Sequence, residues 1–185
     1  GSIAAEGVLG IFDEKREELS KRFVPAFMRQ IQGIESELEV FHALRSVKQE
    51  NTPKGEPLVT AMQQIGSGGI LASLWELTEA ANVGMQIEMS RISIRQECVE
   101  VCEYYHLNPY QMTSAGTVLM VTRDGNALVR CLEESGARAS VLGVTTADHA
   151  KVITSGDEVR YLDRPAPDEL MRWWEEQAQK EVRSE

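Results

Sequence analysis

The residues with the clearest capacity for chemistry form the glycine-rich stretch Gly66-Ser67-Gly68-Gly69. It follows an apolar run at 58–62 and precedes a segment in which apolar residues repeat with helical spacing. Glycine accepts positive φ and leaves room for a ligand beside the main chain. The N–H groups in the first turn of a helix have no internal partners, so they can bind an anion. The stretch therefore predicts a phosphate-binding turn or, as the alternative, only a tight turn between a strand and a helix.

Cys98, Cys102 and His106 form a second pattern, because their spacing of i, i+4 and i+8 places them on one face of a helix. Such a face could hold a metal ion. However, Val101 and Tyr105 lie on the same side, and buried cysteines commonly behave as small apolar residues. Structural zinc sites normally need a complete set of closely placed ligands. We therefore predict that Cys98 and Cys102 are buried, reduced and free of metal.

The chain shows no self-contained catalytic constellation. His42 and His149 have no nucleophile near them in the sequence, and the serines lack the context of a nucleophile elbow. Trp75 and the Trp173-Trp174 pair are interpreted as packing residues. The sequence therefore predicts one anion site, no catalytic residue and no metal ligand.

Charge and cysteine content limit the class of protein. The chain has 185 residues and a net charge of −10, which argues against nucleic acid or an anionic membrane surface as the main partner. Three cysteines do not form a disulfide framework, so a reducing cytoplasm fits best. No apolar run approaches the length that spans a membrane.

Hydrophobic periodicity and turn residues divide the chain into a helical front and a mixed remainder. Helices are predicted at 13–23, 25–35 and 39–49, and 51–57 is a loop by composition. Beyond it, the pattern predicts strands near 58–64, 84–88, 117–122 and 139–144, a hairpin of 151–154 with 158–162, and helices at 70–81, 95–105, 126–135 and from 168. This indicates an α+β fold in which helices cover a mixed or antiparallel sheet. We predict that 1–57 is a helical lead-in segment packed on the same domain as 58–185.

A series of short motifs follows the chain in a fixed order: Ala61-Met62, Gly68-Gly69-Ile70, Leu74-Trp75-Glu76-Leu77, Glu79-Ala80, Val83-Gly84, Ile94-Arg95-Gln96-Glu97, Leu107-Asn108-Pro109, Ser114-Ala115-Gly116-Thr117-Val118-Leu119, Val141-Leu142-Gly143-Val144 and Arg164-Pro165-Ala166-Pro167-Asp168-Glu169-Leu170. This series resembles the C-terminal domain of the AIR synthase (PurM) superfamily, and within it the HypE-like hydrogenase-maturation and AIR synthase-related proteins. These pieces occur in the family's order across most of the chain.

The resemblance implies an enzyme that uses ATP with Mg²⁺ to activate a small-molecule substrate by phosphorylation. It implies that an N-terminal AIR synthase-like domain of the same protein supplies the metal-binding acids, that the glycine loop faces the phosphates, and that the protein forms a homodimer. On this reading the phosphate- or ATP-binding residues are Gln64, Gly66, Ser67, Gly68 and Gly69. We expect this piece alone to be inactive and to carry no cofactor.

Two departures from the family pattern support an alternative. The family loop is typically Asp-x-Thr-Asp/Glu-Gly-Gly, whereas Gln64 and Ser67 stand here in place of acids. HypE proteins also end in a tail with a reactive cysteine, and the sequence closes with Arg183-Ser184-Glu185, so we do not expect the full HypE reaction. The alternative is a non-catalytic binding or assembly module that has lost the acidic phosphate-handling residues.

Overall fold

The computed structural model describes residues 1–48, 52 and 54–184. Its helices are α1 Ala5–Glu14, α2 Arg16–Arg22, α3 Pro25–Gly33, α4 Phe41–Lys48, α5 Gly69–Ala81, α6 Gln96–Tyr104, α7 Gly125–Glu134 and α8 Glu169–Ser184. Its strands are β1 Val59–Gln64, β2 Gly84–Glu88, β3 Val118–Thr122, β4 Gly143–Thr146, β5 Lys151–Ser155 and β6 Glu158–Tyr161. Short 3₁₀ turns occupy Ile34–Glu37, Met89–Arg91 and Pro109–Gln111.

The strands in the described residues form two sheets. β1 pairs antiparallel with β3, with Gln64 opposite Val118. The second sheet has the order β4-β2-β5-β6, in which β5 runs parallel to β2 and the other pairs are antiparallel. Helices cover these mixed and antiparallel sheets, which confirms the predicted α+β class.

Three groups of buried side chains hold the layers together. The first joins α1, α3, α6 and α8, and the second packs α5 on β2 and β3. The third lies between α4, α7 and β1. Representative members are Val8, Ile31, Cys102 and Trp173 in the first group, Ile70, Leu74, Met85 and Leu119 in the second, and Ala43, Leu128 and Leu132 in the third. Burial of these apolar surfaces drives the packing of the helices on the sheets.

Helix α1 was not predicted from the sequence, because Gly7 and Gly10 lower the helix propensity of its segment. Tertiary packing overrides that preference, since Val8 and Ile11 are fully buried. A Cβ on Gly7 would stand 2.4 Å from the side chain of Met112, so glycine permits a close approach there. The predicted single helix at 13–23 is also wrong, because α1 ends at Glu14 and α2 begins at Arg16.

The strand predicted at 139–144 begins later, at Gly143. Ala139 packs against the third apolar group and Leu142 against the second, so this segment connects two packed layers before the strand pairing starts. A Cβ on Gly143 would lie 1.9 Å from the carbonyl oxygen of Gln86, which explains why glycine begins the strand. The hairpin of β5 and β6 was predicted correctly. The parallel pairing of β5 with β2 was not predicted.

The lead-in helices contact the remainder of the chain through the first apolar group and, for α4, through the third. The division into 1–57 and 58–185 stays a prediction. The predicted helix end at Gln49 and the loop positions Asn51 and Pro53 lie outside the described residues. Within the part that is described, no helix combines the length and the apolar character needed to cross a membrane.

Candidate functional site

The glycine turn connects β1 to the N terminus of α5. Ile65 is buried, and its N–H donates to the carbonyl of Thr117 at 2.9 Å, which fixes the end of the strand. Gly68 and Gly69 have φ of +80° and +68°, the left-handed region that side chains disfavour. The N–H of Gly69 donates to the carbonyl of Gly66 at 3.1 Å and closes the turn. The predicted strand, glycine turn and helix are therefore all present.

The glycines of the turn have different structural roles. A Cβ on Gly69 would lie 2.5 Å from the carbonyl oxygen of Tyr110 and 2.7 Å from the N atom of Met112, so this glycine allows α5 to approach the 3₁₀ turn Pro109–Gln111. A Cβ on Gly66 would meet no atom within 4 Å. Gly69 therefore serves packing, while Gly66 faces open space.

A carboxylate of the chain itself already occupies part of the α5 N terminus. The Gly68 N–H donates to Oδ2 of Asp168 at 2.7 Å, and the Leu170 N–H donates to Oδ1 of the same side chain at 2.9 Å. Asp168 is 5% exposed. It thus caps α8 and also bonds to the glycine turn, 100 residues earlier in the chain. Bonds of this kind, from N–H to an ionised carboxylate, are short and strong.

A cleft of about 410 Å³ opens beside this carboxylate. Its walls come from the N-terminal turn of α5, the 3₁₀ turn Pro109–Gln111, the β5–β6 hairpin and the segment 162–166. The polar side chains in the wall are those of Asn108, Tyr110, Gln111, Ser155, Glu158, Arg160, Tyr161, Asp163 and Arg164. The cleft therefore combines helix N–H groups, two guanidinium groups, two carboxylates and aromatic surface, and Arg160 is paired with Glu158 at 2.7 Å.

Glu169 joins the start of α8 to Asn108, a residue of the cleft wall. Its Oε2 accepts from the N–H of Asn108 at 3.0 Å, and Arg172 donates to both of its oxygens. Burial opposes ionisation of Glu169, but the hydrogen bonds from Arg172 and Asn108 outweigh it and lower the pKa of this carboxyl. Glu169 is therefore a firmly ionised anchor rather than a proton donor.

The structure brings only part of the predicted site to the cleft. Gly68 lines it, Gly69 lies buried behind the turn, and Gln64, Gly66 and Ser67 are exposed beside it. Sequence reasoning missed Asp168 and Asn108 as members of the site. A signal for Asp168 was available, because an aspartate directly before a helix is a preferred N-cap.

The donor set fits a phosphate group better than a magnesium ion. Backbone N–H groups of a glycine turn are suitable phosphate ligands. Mg²⁺ instead requires carboxylate oxygens or substrate phosphates, and Gln64 and Ser67 supply no carboxylate. Among the described residues no group of three or more His, Cys, Asp or Glu side chains could hold a metal. This loop therefore offers phosphate donors without a metal cluster of its own.

Cys98 and Cys102 should resist thiol reagents in the folded protein. Both are buried, as predicted from the sequence, and burial raises the pKa of Cys98 from 9.0 to about 12 and also raises that of Cys102. Because only the thiolate reacts, a reagent at pH 8 should modify the half-buried Cys131 first and the other two only in urea. Mass-resolved alkylation checks this order of modification, and fast labelling of Cys98 in the folded protein would contradict it.

The pKa values of Cys98 and Cys102 are raised only in the folded state. The free energy of unfolding should therefore fall as the pH rises from 9 towards 12.

The comparisons with known proteins agree on one family. The family model described as AIR synthase related protein, C-terminal domain, matches residues 8–155. A hydrogenase expression/formation protein of Methanocaldococcus jannaschii is 30% identical over 120 residues, which cover 62% of this chain and 36% of that protein. The chain thus spans about a third of the length of this curated relative.

Solved structures show the same fold. E. coli HypE, a hydrogenase maturation protein, is similar with a TM-score of 0.67 and 19% identity, over 94% of this chain and 50% of that one. A hydrogenase maturation protein HypE in complex with ATP matches with a TM-score of 0.58 and 15% identity, over 69% of this chain and 41% of that one. The ordered motifs, the α+β architecture and the match across 8–155 together place this chain in the family of AIR synthase related proteins, as a C-terminal domain.

Proposed function

We propose that this chain is the phosphate-facing C-terminal half of an ATP-dependent, HypE-like enzyme that activates a small molecule by phosphorylation. The observation that carries the proposal is the glycine turn, whose positive-φ residues Gly68 and Gly69 place the N terminus of α5 beside the cleft. Family membership and a HypE that was solved with ATP support the same reading.

Backbone donors at the start of α5 would hold the phosphates. In the first turn, the N–H of Gly68 donates to Asp168 and that of Gly69 to Gly66. The next N–H groups of the helix, those of Ile70 and Leu71, would serve an external acceptor, and Leu71 lines the cleft. The helix dipole adds about half a positive charge at this end. The net charge of −10 opposes long-range attraction of an anion, so we expect weak affinity.

The other parts of the active site would come from outside this piece. ATP, when bound, supplies a transferable phosphoryl group, and the transfer depends on positioning and on charge neutralisation. The resemblance assigns Mg²⁺ binding to acids of an N-terminal domain and implies a homodimer, and the three cysteines without a disulfide framework fit a reducing cytoplasm. In this arrangement Gln64, Gly66 and Ser67 lie exposed at the edge of the turn, where that domain would cover the phosphates.

A second candidate function is a binding or assembly module without catalysis. It is favoured by Gln64 and Ser67, which stand where the family has acids, and by Asp168, which takes one of the donors of the turn. The coding sequence upstream of the described region distinguishes the two functions. An N-terminal domain with clustered aspartates favours the enzyme, and its absence favours the module.

We expect no ATP hydrolysis by this chain alone and measurable hydrolysis when the N-terminal domain is joined to it. The reason is that this chain would supply phosphate donors, but its described residues include no acid cluster that could hold a metal. Phosphate release with magnesium, measured for both proteins, tests this. If the chain alone hydrolysed ATP and Gln64→Ala abolished this hydrolysis, the assignment of the metal-binding acids to a separate N-terminal domain would be wrong. A joined protein that binds ATP but never hydrolyses it would favour the module.

A further inference from the structure

The segment 163–168 forms a strap across the N terminus of α5. Its start is fixed by the Leu162 N–H, which donates to the carbonyl of Lys151 at 2.7 Å. Its end is fixed by Asp168 on the glycine turn. Pro165 and Pro167 restrict the backbone between these two points. The carbonyl oxygen of Ala166 lies 3.6 Å from the position that a Cβ on Gly68 would take, so the strap contacts the turn directly.

The carboxylate of Asp168 occupies the place that a phosphate oxygen would take. It lies 2.7 Å from the Gly68 N atom, at the end of the helix where the dipole favours a negative charge. Because Asp168 is 5% exposed, solvent screens this charge poorly. A phosphate added beside it would place two anions at one helix end. The ligand must therefore displace the carboxylate or bind against its repulsion.

We propose that Asp168 is an internal competitor for the phosphate site, and that the strap keeps the N–H of Gly68 occupied until a ligand displaces this carboxylate. The inference rests on the proposed function, since it takes the turn to be the phosphate site. It adds a regulatory contact made by the chain itself. In this arrangement the affinity of the turn for phosphate is set by the release of Asp168.

Release of Asp168 does not require α8 to leave the core. Leu170 and Trp173 are 4% and 2% exposed and pack in the first apolar group. Glu169 separately holds the start of the helix on Asn108. These contacts keep α8 in place while the Asp168 side chain rotates away from Gly68. The contact can therefore open as a local event.

The substitution Asp168→Asn removes the negative charge but keeps the cap of α8, because asparagine is also a good N-cap. We expect inorganic phosphate, titrated against labelled backbone amides of the whole chain, to bind this variant about fivefold to tenfold more tightly than the unmodified protein. Glu175→Gln is the matched control, since it removes the same charge from an exposed position of the same helix. It should leave the phosphate affinity unchanged.

The unmodified protein provides a second readout that needs no variant. The Leu170 N–H bonds to Asp168, so displacement of the carboxylate should shift the Leu170 amide together with that of Gly68. Phosphate shifts at 66–71 with no change at Leu170 and equal affinity in Asp168→Asn would overturn the competition and leave the phosphate site standing. An equal gain in phosphate affinity in Glu175→Gln would show that the effect comes from net charge alone, and this would also overturn the competition. No shifts at 66–71 in any of the proteins would refute the phosphate site and this inference together.

Discussion

Replacing Gly69 with valine should destabilise the protein by about 4 kcal/mol, because a strained backbone and an overpacked contact each cost about 1–3 kcal/mol. The backbone of Gly69 has φ +68°, which a β-branched residue does not tolerate. Its Cβ would also meet the main chain of Tyr110 and Met112 at 2.5 and 2.7 Å. Main-chain atoms cannot move away as a flexible side chain can. Urea unfolding of the two proteins gives the difference in the free energy of unfolding.

Gly66→Ala is the control within the same turn. No atom lies within 4 Å of the added Cβ, and φ at Gly66 is not positive. Its free energy of unfolding should stay within about 1 kcal/mol of the original protein. Equal losses for the two variants would show that the turn is not built as described. Full stability of the Gly69→Val variant would also show that the turn is not built as described.

Trp173→Ala should cost about 3–5 kcal/mol, the range for deletion of a large buried aromatic side chain. Trp173 is 2% exposed and lies edge-to-face with Tyr105, with ring centroids 5.4 Å apart. Its side chain holds α8, and therefore the strap 163–168, on the first apolar group. Thermal or urea unfolding measures the loss, and proteolysis of the C-terminal segment should accelerate at the same time.

The neighbouring Trp174 provides the matched control. It is 38% exposed, and its Nε1 donates to Glu14 at 2.7 Å, so Trp174→Ala should cost only about 1 kcal/mol. Trp173→Phe should recover much of the stability that alanine loses, because the buried Nε1 of Trp173 has no hydrogen-bond partner among the described residues. Similar losses at Trp173 and Trp174 would contradict the assignment of which side chain anchors α8.

Local sequence signals predicted the parts of the site that depend on local chemistry. The glycines marked the positive-φ turn at Gly68 and Gly69, and helical spacing marked α5. Asp124 stands directly before α7, a position where aspartate is a preferred cap, and it accepts from the Ala127 N–H at 2.9 Å. Such features depend on a few neighbouring residues, so composition and spacing are sufficient to predict them.

Long-range contacts could not be predicted in this way. The parallel pairing of β2 with β5 joins residues 66 positions apart, such as Met85 and Lys151, and neither strand carries a signal for the other. The bond from Gly68 to Asp168 spans 100 residues and depends on how α8 packs. Helix α1 forms against its own propensity because Val8 and Ile11 are buried by other elements. In each case tertiary packing rather than local preference decides the structure.

The most direct test of the proposed phosphate site is a titration of a non-hydrolysable ATP analogue against labelled backbone amides, without magnesium. We expect shifts concentrated at 66–71, with those of Ile70 and Leu71 among the largest. Ser67→Glu should weaken them, because a carboxylate at the helix terminus repels the phosphates, whereas the neutral Ser67→Gln should not. Shifts elsewhere in the chain, none at millimolar analogue, or equal binding by both Ser67 variants would contradict the claim that this glycine turn receives phosphate.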